Sequence, residues 1–289
     1  MSAAWVKLCR FQLRDQPARP GLLSGAAVLD LTCAGIDRLT PLLENADAPR
    51  LLAALARQRL PRHALRAVRL LAPVEGQEVW AAGVTYLRSR KARMDESEFS
   101  ATAYDRVYDA PRPELFLKSL PEKVVGPGDE VGIRRDAKWN VPEPELALVI
   151  NSRGKVAGLT IGNDMSSRDI EGENLLYLPQ AKVYRRSCAM GPCIVLGVDE
   201  PAARRWAIGV DIRRRGRSVF RGQTRVGSLK RGFEELAGWL CRSQHFPHGA
   251  VLLTGTGVVP GDAFTLAAGD VVRIHVSGIG VLENRVAVV

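Results

Sequence analysis

The chain has 289 residues, 46% of them hydrophobic, and its 41 Lys and Arg against 31 Asp and Glu give a formal net charge of +10. That length and apolar content suffice for a large buried core, shared between a small and a large domain. No apolar run approaches the roughly 20 residues that span a bilayer, and the N-terminal MSAAWVKLCRFQLRD has no apolar region ahead of a cleavage site. Neither membrane insertion nor secretion is expected, and a cytoplasmic protein is.

Residues 1–72 carry short apolar stretches such as AAVLDLT. They are followed by LTPLLENADAPRLLAALARQRL, where Leu42, Leu43, Leu51, Leu52, Leu55 and Leu60 recur at helical intervals and Pro49 interrupts the run. A small N-terminal domain is expected there, with Pro73 marking the join to a larger domain over 73–289. From residue 74 the chain reads as strands separated by Gly and Pro turns: VVGPGDEVGI, LALVINSRGKVAGLTIGND, CIVLGVD, WAIGVDIRRRGRSVFRGQT, AVLLTGTGVVPGD and DVVRIHVSGIGVLENRVAVV. One helix interrupts them. Ser228 is placed to cap LKRGFEELAGWLCRSQ, whose Leu229, Phe233, Leu236 and Leu240, with neighbouring Trp239, form an apolar stripe suited to core packing. The class expected is α+β, mostly β, with mixed strands curled round a cleft.

The basic excess raises the question of nucleic acid. The densest run, Arg213-Arg214-Arg215-Gly216-Arg217, sits in VDIRRRGRSVFRGQT, which reads as two strands around a glycine turn with a solvated tip. No zinc-finger, RNP-type or basic-zipper pattern accompanies it, so no nucleic-acid partner is expected. A general positive field suits small anionic substrates such as keto acids. The five cysteines, Cys9, Cys33, Cys188, Cys193 and Cys241, are scattered without CxxC spacing and read as free thiols. His245 and His248 are separated by a proline and lack a third soft ligand, and His275 alternates onto the solvent side of its strand. The glycines of GPGD at 126–129 are turn residues, since no Gly-Lys-Ser/Thr follows them.

The stretch 139–172, WNVPEPELALVINSRGKVAGLTIGNDMSSRDIEG, concentrates the chemistry. Glu143 and Glu145 are two apart and leave the same face of an extended strand. Behind them LALVI reads as a buried strand, and the turn Asn151-Ser152-Arg153-Gly154 returns the chain as VAGLTIGND, bringing Asp164 back towards the two glutamates. Three carboxylates packed together repel unless a cation sits among them, and Mg²⁺ or Mn²⁺ prefers such oxygens with positions left for water and substrate. Spacing alone leaves a solvated acidic hairpin edge as an equal reading.

Several blocks in order, GVTY at 83–86, PELFLKS at 113–119, VVGPGD at 124–129, EPELALVI at 143–150, GNDMSSRD at 162–169, AKVYRRSCAMGP at 181–192, LLTGTG at 252–257 and GDVVRIHVSGIGVLENRV at 269–286, resemble the fumarylacetoacetate hydrolase superfamily. The resemblance covers roughly residues 73–289 and implies a mixed β-roll catalytic domain there. It implies that Glu143, Glu145 and Asp164 hold a divalent metal, Mg²⁺ or Mn²⁺, that Lys182 and Thr256 face the substrate, and that the protein is a homodimer or higher homo-oligomer. Lys118 is a second lysine expected at the substrate, because a lysine beside a metal in a partly closed cleft loses its proton more readily.

One departure stands out. Hydrolytic members carry a histidine after the GVTY-like motif that activates water for C–C cleavage, whereas here Arg88, Ser89 and Arg90 follow, and no histidine occurs between His63 and His245. With YLRSRKARMDES and SLPEKVVGPGD, the chain is most similar to the branch of dehydratases acting on 2-keto-3-deoxy sugar acids such as 2-keto-3-deoxy-D-arabinonate. The activity this implies is Mg²⁺-dependent dehydration of a 2-keto-3-deoxypentonate to 2,5-dioxopentanoate. Lys182 is the expected base at C3, Glu173 or a metal-bound water the acid, and Arg88, Arg90 and Thr256 the groups that hold the substrate's polar end. The alternative keeps the metal but ends in C–C hydrolysis, decarboxylation or tautomerisation of acylpyruvates or related 2-keto acids.

Overall fold

The computed structural model describes residues 5–86 and 106–289. Its first strands are β1 (Val6–Gln12), β2 (Arg19–Ser24), β3 (Ala27–Asp30), β4 (Arg62–Ala64) and β5 (Arg69–Leu71). Between β3 and β4 the leucine-rich pattern forms two short helices, Thr40–Glu44 and Ala48–Leu55. Pro49 falls in the first turn of the second helix, where its missing N–H would have had no partner anyway. The interruption therefore lies at 45–47, ahead of the proline.

Next come β6 (Glu78–Gly83), β7 (Glu114–Ser119), β8 (Glu130–Ile133), β9 (Asn140–Val141), β10 (Pro144–Ile150), β11 (Val156–Asp164), β12 (Ser166–Ser167) and β13 (Cys188–Leu196). The C-terminal third adds β14 (Ala207–Arg214), β15 (Arg217–Arg225), β16 (Ala250–Leu253), β17 (Val271–Val276) and β18 (Gly280–Val288). An 11-stranded sheet runs β4-β3-β2-β1-β13-β11-β10-β16-β6-β7, with β5 beside β1, and a 5-stranded sheet runs β15-β14-β17-β18-β8. β16–β6 and β18–β8 are parallel pairs in otherwise antiparallel sheets. The segment expected as an N-terminal domain contributes to the same large sheet, because Val6, Lys7 and Leu8 pair with Leu196, Val195 and Ile194 of β13.

Strand β10 shows why the sheet lies at the centre. All seven of its residues are buried, as a strand covered on both faces requires. Its alternate side chains enter different clusters: Leu146, Leu148 and Ile150 pack with Ile208, Ile274 and Leu282 of the smaller sheet, and Ala147 and Val149 pack with Leu22, Leu42 and Leu52. Each such leucine, fully buried, stabilises by about 1.5–3 kcal/mol.

Two local expectations need correction. The helix spans Phe233–Cys241, and Ser228 ends a separate turn, Val226–Ser228. Leu229 cannot join the helix because it bridges Tyr86, while the Lys230 N–H bonds Thr85 O at 3.0 Å. Capping comes instead from Glu200, which accepts from the Phe233 N–H at 2.9 Å, and from Glu235, which accepts from the Gly232 N–H at 3.2 Å. Of VVGPGDEVGI, Glu130–Ile133 forms a strand, while Val125 makes only an isolated bridge to Ala189. The arginine hairpin is as read, β14 and β15 turning through Arg215 (φ 50) and Gly216 (φ 79). Among the described residues no helix is long and apolar enough to cross a membrane.

Candidate metal centre and its cavity

The β10–β11 hairpin builds the acidic cluster. Antiparallel register puts Pro144 opposite Asn163 and Glu145 opposite Gly162, and one step further the Asp164 N–H donates to Glu143 O at 2.9 Å. Period-two alternation keeps Glu143 and Glu145 on one face. The result is a group in which one ligand atom from each of Glu143, Glu145 and Asp164 lies within 4.8 Å of the others, all three residues being buried. Among the described residues no other His, Cys, Asp or Glu cluster is so arranged.

Glu145 is held from the end of β16. The Gly255 N–H donates to Glu145 Oε2 at 2.6 Å. Gly255 has φ +92, and a Cβ there would stand 2.0 Å from Thr85 Oγ1, so the backbone can make this approach only as glycine. Thr85 in turn donates to Thr254 O at 2.6 Å, tying the GVTY turn to the TGTG turn.

Three cations face the carboxylates. Lys182, the last residue of the helix Leu178–Lys182, donates to Glu143 Oε2 (2.7 Å), Asp164 Oδ2 (3.1 Å) and Ser166 Oγ (2.6 Å). Arg168 reaches Glu143 Oε1 at 3.4 Å, its guanidinium lying over Trp139 at 5.4 Å. Lys118 pairs with Asp164 Oδ1 at 2.5 Å. Even so, burial, followed by the neighbouring charges of Asp164 and Glu143, pushes the Glu145 carboxyl well above its ordinary range, against the Gly255 N–H and Lys182, which act the other way. An all-oxygen donor set, sunk in the protein and still favouring the protonated form of Glu145 beside three cations, fits a hard divalent cation.

The cavity beside this cluster is lined on its apolar side by Ala82, Val84, Phe116 and Val259, and on its polar side by Glu114, Arg168, Glu171, Lys182, Gly255 and Thr256. The structure thus brings together five of the residues expected from sequence: Glu143, Glu145, Asp164, Lys182 and Thr256. Thr256 Oγ1 lies 3.0 Å from Pro144 O and is nearly buried. Arg88 and Arg90 lie outside the described residues.

Two placements differ from expectation. Lys118 does not line the cavity; it pairs with Asp164 and has no exposed surface. Glu173 is exposed at the end of the helix Arg168–Glu173, while Glu171 is buried, lines the cavity and lies 4.0 Å from Lys182 Nζ. Residues two apart on a helix point in widely different directions, so only one of these two glutamates can face inward. Arg168, Glu171 and Glu114 were not anticipated. The 168–171 spacing of three, which puts an arginine and a glutamate on one helical face, is the signal that could have identified the first two. Glu114 comes from β7 opposite Gly83, where a Cβ would stand 2.0 Å from its Oε2. No histidine lines the cavity: His245, His248 and His275 are exposed, and His63 lies beside Asp30 at 3.6 Å.

Residues 78–287 match the family model for fumarylacetoacetate (FAA) hydrolase, C-terminal. The chain is 47% identical over 217 residues, 75% of its length and 74% of the relative's, to a Haloferax volcanii protein named as a probable 2-keto-3-deoxyxylonate dehydratase. It is 40% identical over 222 residues, 76% of its length and 74% of the relative's, to the 2-dehydro-3-deoxy-D-arabinonate dehydratase of Saccharolobus solfataricus. A solved structure of 2-keto-3-deoxy-D-arabinonate dehydratase complexed with magnesium and 2,5-dioxopentanoate aligns with a TM-score of 0.81 at 32% identity, covering 98% of this chain and 99% of that one. By the extent of these matches, and by the carboxylate cluster they enclose, this chain belongs to the fumarylacetoacetate hydrolase family.

Proposed function

We propose that the chain is a dehydratase, dependent on Mg²⁺ or Mn²⁺, that converts a 2-keto-3-deoxypentonate into 2,5-dioxopentanoate and water. The observation that carries this reading is a buried carboxylate triad sharing one cavity with Lys182 and two further carboxyls, Glu114 and Glu171, and with no histidine. Similarity to two proteins named as dehydratases of this substrate class supports the same reading.

Glu143, Glu145 and Asp164 hold the cation, which when bound supplies Lewis acidity to a 2-keto acid. Thr256, with the TGTG turn, holds the substrate's carboxylate end. Lys182 Nζ would take the C3 proton in its neutral form, which a cation replacing the ammonium beside Glu143 and Asp164 would favour, and Glu171 gives a proton to the C4 hydroxyl as it leaves as water. Each such transfer contributes about 10²- to 10⁴-fold. The resulting 5-hydroxy-3-ene still differs from the product by a proton shift, from C5 to C3, after which the C4–C5 enol closes to the aldehyde. Two carboxyls in one cavity, Glu114 and Glu171, suit the repeated transfer. Arg88 and Arg90 remain the expected contacts to the distal hydroxyls. A homodimer or higher homo-oligomer working in the cytoplasm on sugar-acid breakdown completes the reading.

The test compares kcat/KM for each 2-keto-3-deoxypentonate epimer with that for an acylpyruvate, with and without Mg²⁺ at neutral pH. Dehydration of one epimer is expected, with acylpyruvates acting as competitive inhibitors, because they share the chelating end but meet no positioned histidine. Faster pyruvate release from the acylpyruvate than dehydration of every epimer would instead establish a hydrolase.

A further inference from the structure

Lys118 carries a buried charge that the proposed chemistry does not use. Its side chain leaves β7, is 0% exposed, and meets three oxygens: Asp164 Oδ1 at 2.5 Å, Met165 O at 2.9 Å and Lys182 O at 2.5 Å. Two of its N–H donors go to the carbonyls, and the contact with Asp164 Oδ1 is a close buried ion pair. Lys118 is not among the residues that line the cavity, whereas Asp164 is. The other oxygen of that carboxylate, Oδ2, meets Lys182 Nζ at 3.1 Å, the same nitrogen that binds Glu143 Oε2 at 2.7 Å. Asp164 is therefore held through one oxygen by Lys118, outside the cavity lining, and through the other by Lys182, which lines it. Turning to offer both oxygens to a single cation would break a buried ion pair.

We propose that Lys118 is a positioning residue that limits Asp164 to one ligating oxygen and so tunes the triad to a small cation such as Mg²⁺ and against Ca²⁺. This rests on the reading that the triad holds a divalent cation. The physical basis is the difference between the two ions. Mg²⁺ demands near-octahedral oxygens and keeps several waters, whereas Ca²⁺ takes six to eight oxygens and readily accepts both from one carboxylate. Because Lys118 also holds Lys182 O, the same grip fixes the helix end that carries the proposed base.

The test is calorimetric titration of the full chain with Mg²⁺ and with Ca²⁺, for the wild type, Lys118→Met, Lys118→Gln, Asp164→Asn and the Lys118→Gln/Asp164→Asn pair. Lys118→Gln keeps an N–H donor for the two carbonyls and carries the comparison if Lys118→Met does not fold. Loss of the lysine's positive charge favours both divalent cations alike, so the readout is the Mg²⁺/Ca²⁺ affinity ratio, expected to fall by about 10- to 100-fold in a folded Lys118 variant, the usual cost of removing the partner that orients a metal ligand. In the Asp164→Asn background Lys118→Gln should lower the Mg²⁺/Ca²⁺ affinity ratio no further, since the selectivity would run through that carboxylate. An unchanged affinity ratio, or the same loss in the Asp164→Asn background as in the wild type, overturns the proposal. Binding of neither cation by the wild type would defeat the triad reading instead, which keeps the two failures apart.

Discussion

At Lys182 one nitrogen gathers two ligand carboxylates and a serine hydroxyl, so the residue meets both the cation's ligands and the substrate's carbon. Lys182→Met is expected to lower kcat by at least roughly 10²-fold, the loss typical of a missing base, while KM stays within a small factor. Mg²⁺ affinity should not fall, because the substitution removes a positive charge from beside the site. Steady-state kinetics, calorimetry and C3 hydrogen exchange in D₂O check the three parts, and wild-type exchange would assign the proton to another group. Glu171 and Glu173 give a paired comparison: Glu171→Gln should cost at least about 10²-fold in kcat, and exposed Glu173→Gln should leave it near wild type. The meeting of Glu143, Glu145 and Asp164 was legible from strand alternation and a short turn, but spacing alone left a solvated hairpin edge as an equal reading, and the family resemblance favoured a metal. Glu171 was not legible in the same way. A helix of only six residues carries too little apolar periodicity to say which of two glutamates points inward. Lys118 was recognisable as belonging near the site, but the side of Asp164 on which it stands depends on β7 lying at the end of a ten-strand path, which no local pattern encodes.

Among the elements, the hairpins were the most legible, since both of the ones that matter announce their turns: Asn151 to Gly154 between β10 and β11, and Arg215-Gly216 between β14 and β15. The helix start at Phe233 was hidden because its cap comes from Glu200, far away in sequence, and because residues 229 and 230 are engaged by the GVTY segment. The arginine hairpin is less of a bare charge run than its sequence suggests. Asp211 accepts from Ser218 Oγ at 2.6 Å, Arg213 Nε at 2.8 Å and Arg221 Nε at 3.2 Å. Burial alone would raise its carboxyl, but these hydrogen bonds outweigh it and draw the group down from 3.8 to about 2. A carboxyl whose value is lower when folded adds stability above the unfolded value and loses it as pH falls through the folded one. The hairpin's contribution should therefore be complete above about 3.8 and disappear towards about 2. Asp211→Asn should melt below the wild type at neutral pH, with the difference closing as acid is added across that window. A constant difference in melting temperature down to pH about 2 would show that the charge is not what holds the hairpin.

Over the whole molecule, strands β1–β7 join β10, β11, β13 and β16 in one large sheet, and three of its long, largely buried strands, β10, β11 and β13, carry or flank the carboxylates. The acidic cluster is thus built into deeply buried strands, and its electrostatic cost falls on global stability. Glu145 shows that cost, since burial and two neighbouring carboxylates favour its protonated form. A cation that binds the folded chain and not the unfolded one stabilises by RT ln(1 + [L]/Kd), about 2.7 kcal/mol at a hundred times Kd. For a chain of this size that should raise the melting temperature by roughly 4 °C or more. Differential scanning calorimetry with saturating Mg²⁺, then with a chelator in excess, measures the shift directly. Glu145→Gln supplies the internal control. Without cation it should melt no lower than the wild type, because a repelling charge has been removed, and it should lose most of the Mg²⁺-induced rise. If Glu145→Gln instead keeps the full rise, the cation that stabilises this protein is bound somewhere other than the β10–β11 hairpin.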